Sequence, residues 1–195
     1  MGALGSLGYG GAPRAPPPPP TTPYARDPYR TDTLRYILDL MTWVHDSIYA
    51  AGGDYVSQQW RQFHDSTGIE AILHLAPRRP MIFHGPPPKR FLWLDYDDEH
   101  QAGLDERWLA GRFIQQALAD GELVLIHHPE GMHRTRWAFV AYNLIIGKTL
   151  IAALHQAQQR PWLAPYHTEK SDWEAFVRAL FEAGEGPPGG EHVVS

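Results

Sequence analysis

Between residues 43 and 183 the spacing of hydrophobic positions changes several times, and each change marks an expected element. Trp43-Val44 and Ile48-Tyr49-Ala50 read as short strands that end at Gly52-Gly53. From Tyr55 to Asp65, the apolar residues Val56, Trp60 and Phe63 fall at helical spacing. Ile69 to Leu75 reads as a strand, Pro77 to Pro88 as a proline-rich excursion, and Phe91 to Leu94 as a further short strand. Leu104 to Ala119 predicts an amphipathic helix with Ala110, Phe113, Ile114, Ala117 and Leu118 on its inner face. Leu123 to Ile126 is a continuous β-prone run, as a strand covered on both faces requires. Thr135 to Ile146 is almost entirely apolar and predicts a central helix. Ser171 and Glu174 have capping-box spacing ahead of a stripe formed by Trp173, Phe176, Val177, Leu180 and Phe181. Trp43, Trp60, Trp93, Trp137 and Trp173 all fall on element faces and are expected in the core. Strands alternating with helices imply an α/β domain whose sheet is flanked by helices.

The flanks have a different composition. Residues 1–31 are rich in Gly, Ala and Pro, and the run Pro16 to Pro20 predicts an extended leader without a core. The plain reading is a flexible leader; the alternative is a docking site for a proline-reading partner module. Residues 184–195, with Gly-Pro-Pro-Gly-Gly inside them, read as a disordered tail. That leaves residues 32–183 as one folded domain.

Charge and composition narrow the function classes. A net charge of −5 argues against a general nucleic-acid partner. The apolar stretch Leu144 to Ala153 is broken by Gly147, Lys148 and Thr149, so no membrane partner is expected. No basic start leads into an apolar run, and a cytoplasmic location is the default expectation. The chain has no cysteine at all. Disulfides, thiolate metal sites and thiol nucleophiles are thereby excluded.

The segment that carries chemistry is Leu123 to Thr135, where a buried strand enters a short loop and then a buried helix. This arrangement aims backbone N–H groups and the positive helix end at one point, which suits an anion. Gly131 permits the tight path, and the Arg134 fork can hold two phosphate oxygens.

His127-His128-Pro129-Glu130-Gly131-Met132-His133-Arg134-Thr135 resembles the His-Cys-x5-Arg-Ser/Thr loop of the protein tyrosine and dual-specificity phosphatases. His127, Gly131, Arg134 and Thr135 match that pattern, and His128 stands where the nucleophilic cysteine belongs. Further pieces resemble the same family in the same order: Ile48 to Gly52, Gly68 to Leu75, Phe91 to Asp98, and Ala141 to Leu144. The resemblance implies a mostly parallel central sheet, a strand–phosphate loop–helix motif, and a general-acid position at Asp98, with Asp97 as runner-up. It also implies phosphate contacts from residues 129–135 and loop support from His127. Asp95, Asp97, Asp98 and Glu99 read equally well as a solvated acidic loop.

Three functional readings follow. In the first, the protein is a pseudophosphatase that recognises a phosphorylated protein or small phosphate ligand without turnover. In the second, His128 is itself the nucleophile, through a phosphohistidine, with Asp98 as acid. In the third, a bulky His128 fills the pocket and the protein acts through its surfaces. His84, His100, His127, His128 and His133 lack a helical i, i+4 ligand pair with an intervening acid, so neither a metal nor a cofactor is expected. Arg79, Lys89 and Arg90 read as part of a solvated excursion or as a basic rim.

Overall fold

The computed structural model describes residues 41–96, 99, 101–129, 133–160 and 168–186, with only the backbone at His133. The proline leader, the residues after 186, Asp97, Asp98, His100 and residues 130–132 lie outside the described residues.

Five strands form one sheet: β1 (Met41–His45), β2 (Ile48–Gly52), β3 (Ala71–Leu75), β4 (Arg90–Leu94) and β5 (Val124–His128). Their spatial order is β1-β2-β5-β3-β4. β1 and β2 are an antiparallel pair, and every other neighbour pair is parallel. The β1–β2 register shifts between Trp43 and His45. The intervening Val44 carbonyl accepts a hydrogen bond from Arg160 Nε at 2.6 Å.

Among the described residues, six helices accompany the sheet: α1 (Tyr55–Gln58), α2 (Trp60–Thr67), α3 (Leu104–Ala119), α4 (His133–Ile145), α5 (Leu150–Gln158) and α6 (Lys170–Glu182). Side chains alternate across a strand, so β5 divides its residues between two cores. Val124 and Ile126 join a large cluster with Trp137, Phe139, Trp173 and Phe176. Leu125 joins a smaller one with Val56, Trp60 and Phe63 from α1 and α2. All five β5 residues are buried, as the unbroken apolar run predicts.

Several expectations are corrected. The helix expected from Tyr55 to Asp65 breaks at Gln59, whose φ of −115° and ψ of 29° are not helical. The Ser171 capping box does not form, because α6 starts at Lys170 with Glu169 as its N-cap and Ser171 is already inside the first turn. Helix α5 is not anticipated by the periodicity; its start is fixed by Thr149, whose hydroxyl accepts from the Ala152 N–H at 3.3 Å. Trp60, Trp137 and Trp173 are core residues, whereas Trp43 and Trp93 are only half-buried. Residues 184–186 remain attached to α6: the Glu185 N–H donates to the Leu180 carbonyl at 2.8 Å, and its carboxylate pairs with Arg112. Among the described residues, no helix is long and apolar enough to cross a membrane.

Candidate phosphate-loop site

Because β2, β5, β3 and β4 run parallel, their carboxyl ends gather along one edge of the sheet. That edge is where open α/β sheets present their ligand sites. β5 continues two residues beyond the expected Ile126, so His127 and His128 belong to the strand itself. His128 lies opposite Gly52 in the β2 register and is 4% exposed. Alternation along β5 puts it on the Ile126 side of the sheet and His127 on the Leu125 side.

His127 meets a residue that carried no role in the sequence reading. The β3–β5 register pairs it with His74, and the two rings stack with centroids 5.0 Å apart. Their Nδ1 atoms are 2.9 Å apart. His127 Nε2 donates to the Gly53 carbonyl at 2.7 Å, and His74 Nε2 donates to the Arg79 carbonyl at the same distance. Gly53 in turn donates its N–H to the Pro129 carbonyl at 3.0 Å, which ties this pair to the loop. Burial is the main cause that holds both imidazoles below the ordinary range. His127 is lowered to about 3 by burial, reinforced by the neighbouring His74 and His128 and opposed by the Gly53 carbonyl.

At the start of α4, Arg134 is buried and directs Nη1 to the Leu75 carbonyl at 3.3 Å. Its guanidinium carbon is 5.4 Å from the centre of the Tyr96 ring, which tilts against Trp137. The Thr135 hydroxyl is fully buried and has no hydrogen-bond partner among the described residues. The edge therefore assembles His128, Arg134 and Thr135 from the end of β5 and the first turn of α4.

The acidic segment divides. Asp98 and Asp97, the acid candidates, lie outside the described residues, as do Glu130, Gly131, Met132 and the His133 side chain. Asp95 accepts the Arg78 N–H at 2.8 Å. Glu99 is not solvated; it is 4% exposed and accepts from the Thr168 hydroxyl at 3.2 Å. The basic rim is largely paired off. Arg79 faces Asp54 at 3.2 Å, Lys89 lies 2.6 Å from Glu122, and Arg90 pairs with Asp120 and Glu122. Among the described residues, no three His, Asp or Glu side chains converge as a metal ion requires.

Comparison with solved structures settles the architecture. A mouse protein assigned as a dual-specificity phosphatase, complexed with zinc tungstate, is 16% identical with a TM-score of 0.56, covering 76% of this chain and 93% of its own. PTPMT1 in complex with PI(5)P is 13% identical with a TM-score of 0.59, covering 75% of this chain and 99% of its own. The fold is that of the dual-specificity and tyrosine phosphatases. The human tyrosine phosphatase-like serine/threonine/tyrosine-interacting protein shares it at 19% identity and a TM-score of 0.53, covering 74% of this chain and 95% of its own. No sequence-family profile matches the chain, and no curated protein matches its sequence. The strand–loop–helix order and the His-x6-Arg spacing from His127 to Arg134 thus sit in a phosphatase-fold domain, with histidine as the last residue of the central strand.

Proposed function

We propose that this phosphatase-fold protein binds a phosphate group or phosphorylated ligand through residues 127–135 and does not turn it over by the cysteine mechanism. The observation that carries the reading is the end of β5: His128 occupies the terminal strand position, Arg134 opens α4, and the chain holds no cysteine. Without a thiolate, no phosphocysteine can form. The retained parts are those that recognise an anion: a loop between strand and helix, an arginine, and a buried Thr135 hydroxyl without a partner among the described residues. Neighbours of the same fold that were solved with tungstate and with PI(5)P support an oxyanion or phosphorylated ligand.

Calorimetric titration with phosphate and with a phosphotyrosine peptide tests this reading, beside a phosphatase assay. Wild type is expected to bind and remain inert, and Arg134→Ala to lose binding at least tenfold. Phosphate-independent behaviour in both proteins would overturn the proposal. Turnover gained by His128→Cys would show that the scaffold keeps phosphatase geometry.

A second reading, an interaction protein with a closed loop, draws on the burial of His128 and on the Arg134 contact with Leu75. It predicts no anion binding by wild type. A histidine nucleophile would have to leave the 4% exposed position of His128 to reach a substrate, and nothing in the geometry favours that step.

A further inference from the structure

The hydrogen bonds around His74 and His127 do not balance in the neutral state. The carbonyls of Gly53 and Arg79 can only accept, so each ring must carry its proton on Nε2. Two neutral rings then have bare Nδ1 atoms, yet those atoms face each other at 2.9 Å. A hydrogen bond across that gap requires one more proton, and the pair then carries a single positive charge.

Among the described residues, the charges around the pair supply no compensating anion. His127 comes from β5 with His128 beside it, and His74 comes from β3. From the β3–β4 connection, Arg79 approaches; from the β2–α1 connection, Asp54 approaches, and these two neutralise each other at 3.2 Å. On the β4 side the neighbour is Phe91, an uncharged ring stacked on His74 at 6.3 Å. Burial accordingly favours two neutral rings and leaves the lone pairs opposed. An anion held by the loop would supply that counter-charge. Gly53 accepts from His127 and donates to Pro129, so the pair is one peptide away from the loop.

We infer that anion binding at residues 127–135 is linked to uptake of one proton by the His74–His127 pair. The inference rests on the anion-binding reading above and adds its regulation. The proton comes from solvent and lodges between the two Nδ1 atoms; the pair changes from neutral to singly charged as the anion arrives. Linkage makes affinity rise as pH falls, by up to about tenfold per pH unit where uptake is complete. Reciprocally, the anion raises the proton affinity of the pair.

The test uses sulfate, which does not titrate near neutrality. Calorimetry at about pH 6 in two buffers of different ionisation enthalpy gives the number of protons exchanged. Wild type is expected to take up a measurable fraction of one proton per sulfate, increasing toward lower pH. His74→Asn is expected to bind sulfate with that uptake abolished, because an amide can donate to His127 Nδ1 without titrating. Nitrogen NMR on wild type reads the same event without any variant: sulfate should convert one Nδ1 of the pair from bare to protonated. Sulfate bound with no uptake, or with uptake unchanged in His74→Asn, would overturn this inference alone. Sulfate not bound at all would overturn it together with the anion-binding reading.

Discussion

Arg134 Nη1 donates to the Leu75 carbonyl at 3.3 Å, so the first turn of α4 is fastened to the last residue of β3. The arginine that would grip an anion is thus also a structural tie at the edge of the sheet. Replacing it removes both roles. Arg134→Ala should lower unfolding free energy by about 1–3 kcal/mol, the cost of leaving a buried carbonyl unpaired. Arg134→Lys should recover part of the stability and little of the anion affinity, because an ammonium cannot form the planar fork. Urea unfolding and calorimetry on the same two variants separate the roles.

The buried histidines set an acid limit. Both imidazoles lie below their ordinary value of 6.5, so the unfolded chain binds the additional protons as pH falls. Stability is complete above 6.5 and is lost as pH falls toward the folded value, which for His127 is about 3. The expected slope is about 1.4 kcal/mol per pH unit for each histidine that titrates only on unfolding. His74→Asn should flatten the dependence of stability on pH between about 6 and 4, and urea midpoints across that range measure it. Sulfate should flatten it in wild type as well.

Helix α3 runs so close to α4 that Gly111 has no room for a side chain. A Cβ there would stand 2.6 Å from Ile145 Cγ1 and 3.0 Å from the Ala141 carbonyl. Alanine normally improves a helix interior by up to about 1 kcal/mol. Gly111→Ala should instead destabilise by about 1–3 kcal/mol, since α4 must shift to admit the methyl. Thermal unfolding of this variant checks the sign.

Glu122 is nearly buried and joins Lys89 at 2.6 Å to Arg90 at 2.9 Å. Burial opposes its charge, but the two cations outweigh burial and hold its carboxyl below the ordinary carboxylate value of 4.5. Its contribution is present above that value and is lost as pH falls through the folded one. Glu122→Gln should lower Tm by about 2–4 °C at neutral pH. Wild type and variant should converge as pH falls through the lowered folded value, as scanning calorimetry would show.

The central strand, its loop and the following helix were legible because a continuous apolar run, a His-x6-Arg spacing and a second apolar run occur in order. The pairing of His74 with His127 was not. Each residue reads as one polar position in an apolar strand, and only the β3–β5 register brings them together. The Arg134 tie to Leu75 was hidden for the same reason, since it joins residues 59 positions apart. Ser171 misled because capping-box spacing identifies a donor and acceptor without fixing which turn comes first. Helix α5 had a local signal in Thr149, but the run Leu144 to Ala153 was read only for its interruption at Gly147, Lys148 and Thr149.

The Arg160 bond to the Val44 carbonyl gives the sheet unequal ends. At β1 the bulge twists the outer strand, and a guanidinium occupies an acceptor that an incoming chain would need. Trp43 lies 5.0 Å beneath the same guanidinium, so the seal has a floor as well as a bond. A strand approaching that flank would find the Val44 carbonyl already occupied by the chain's own Arg160, so this border of the sheet is partly closed from within.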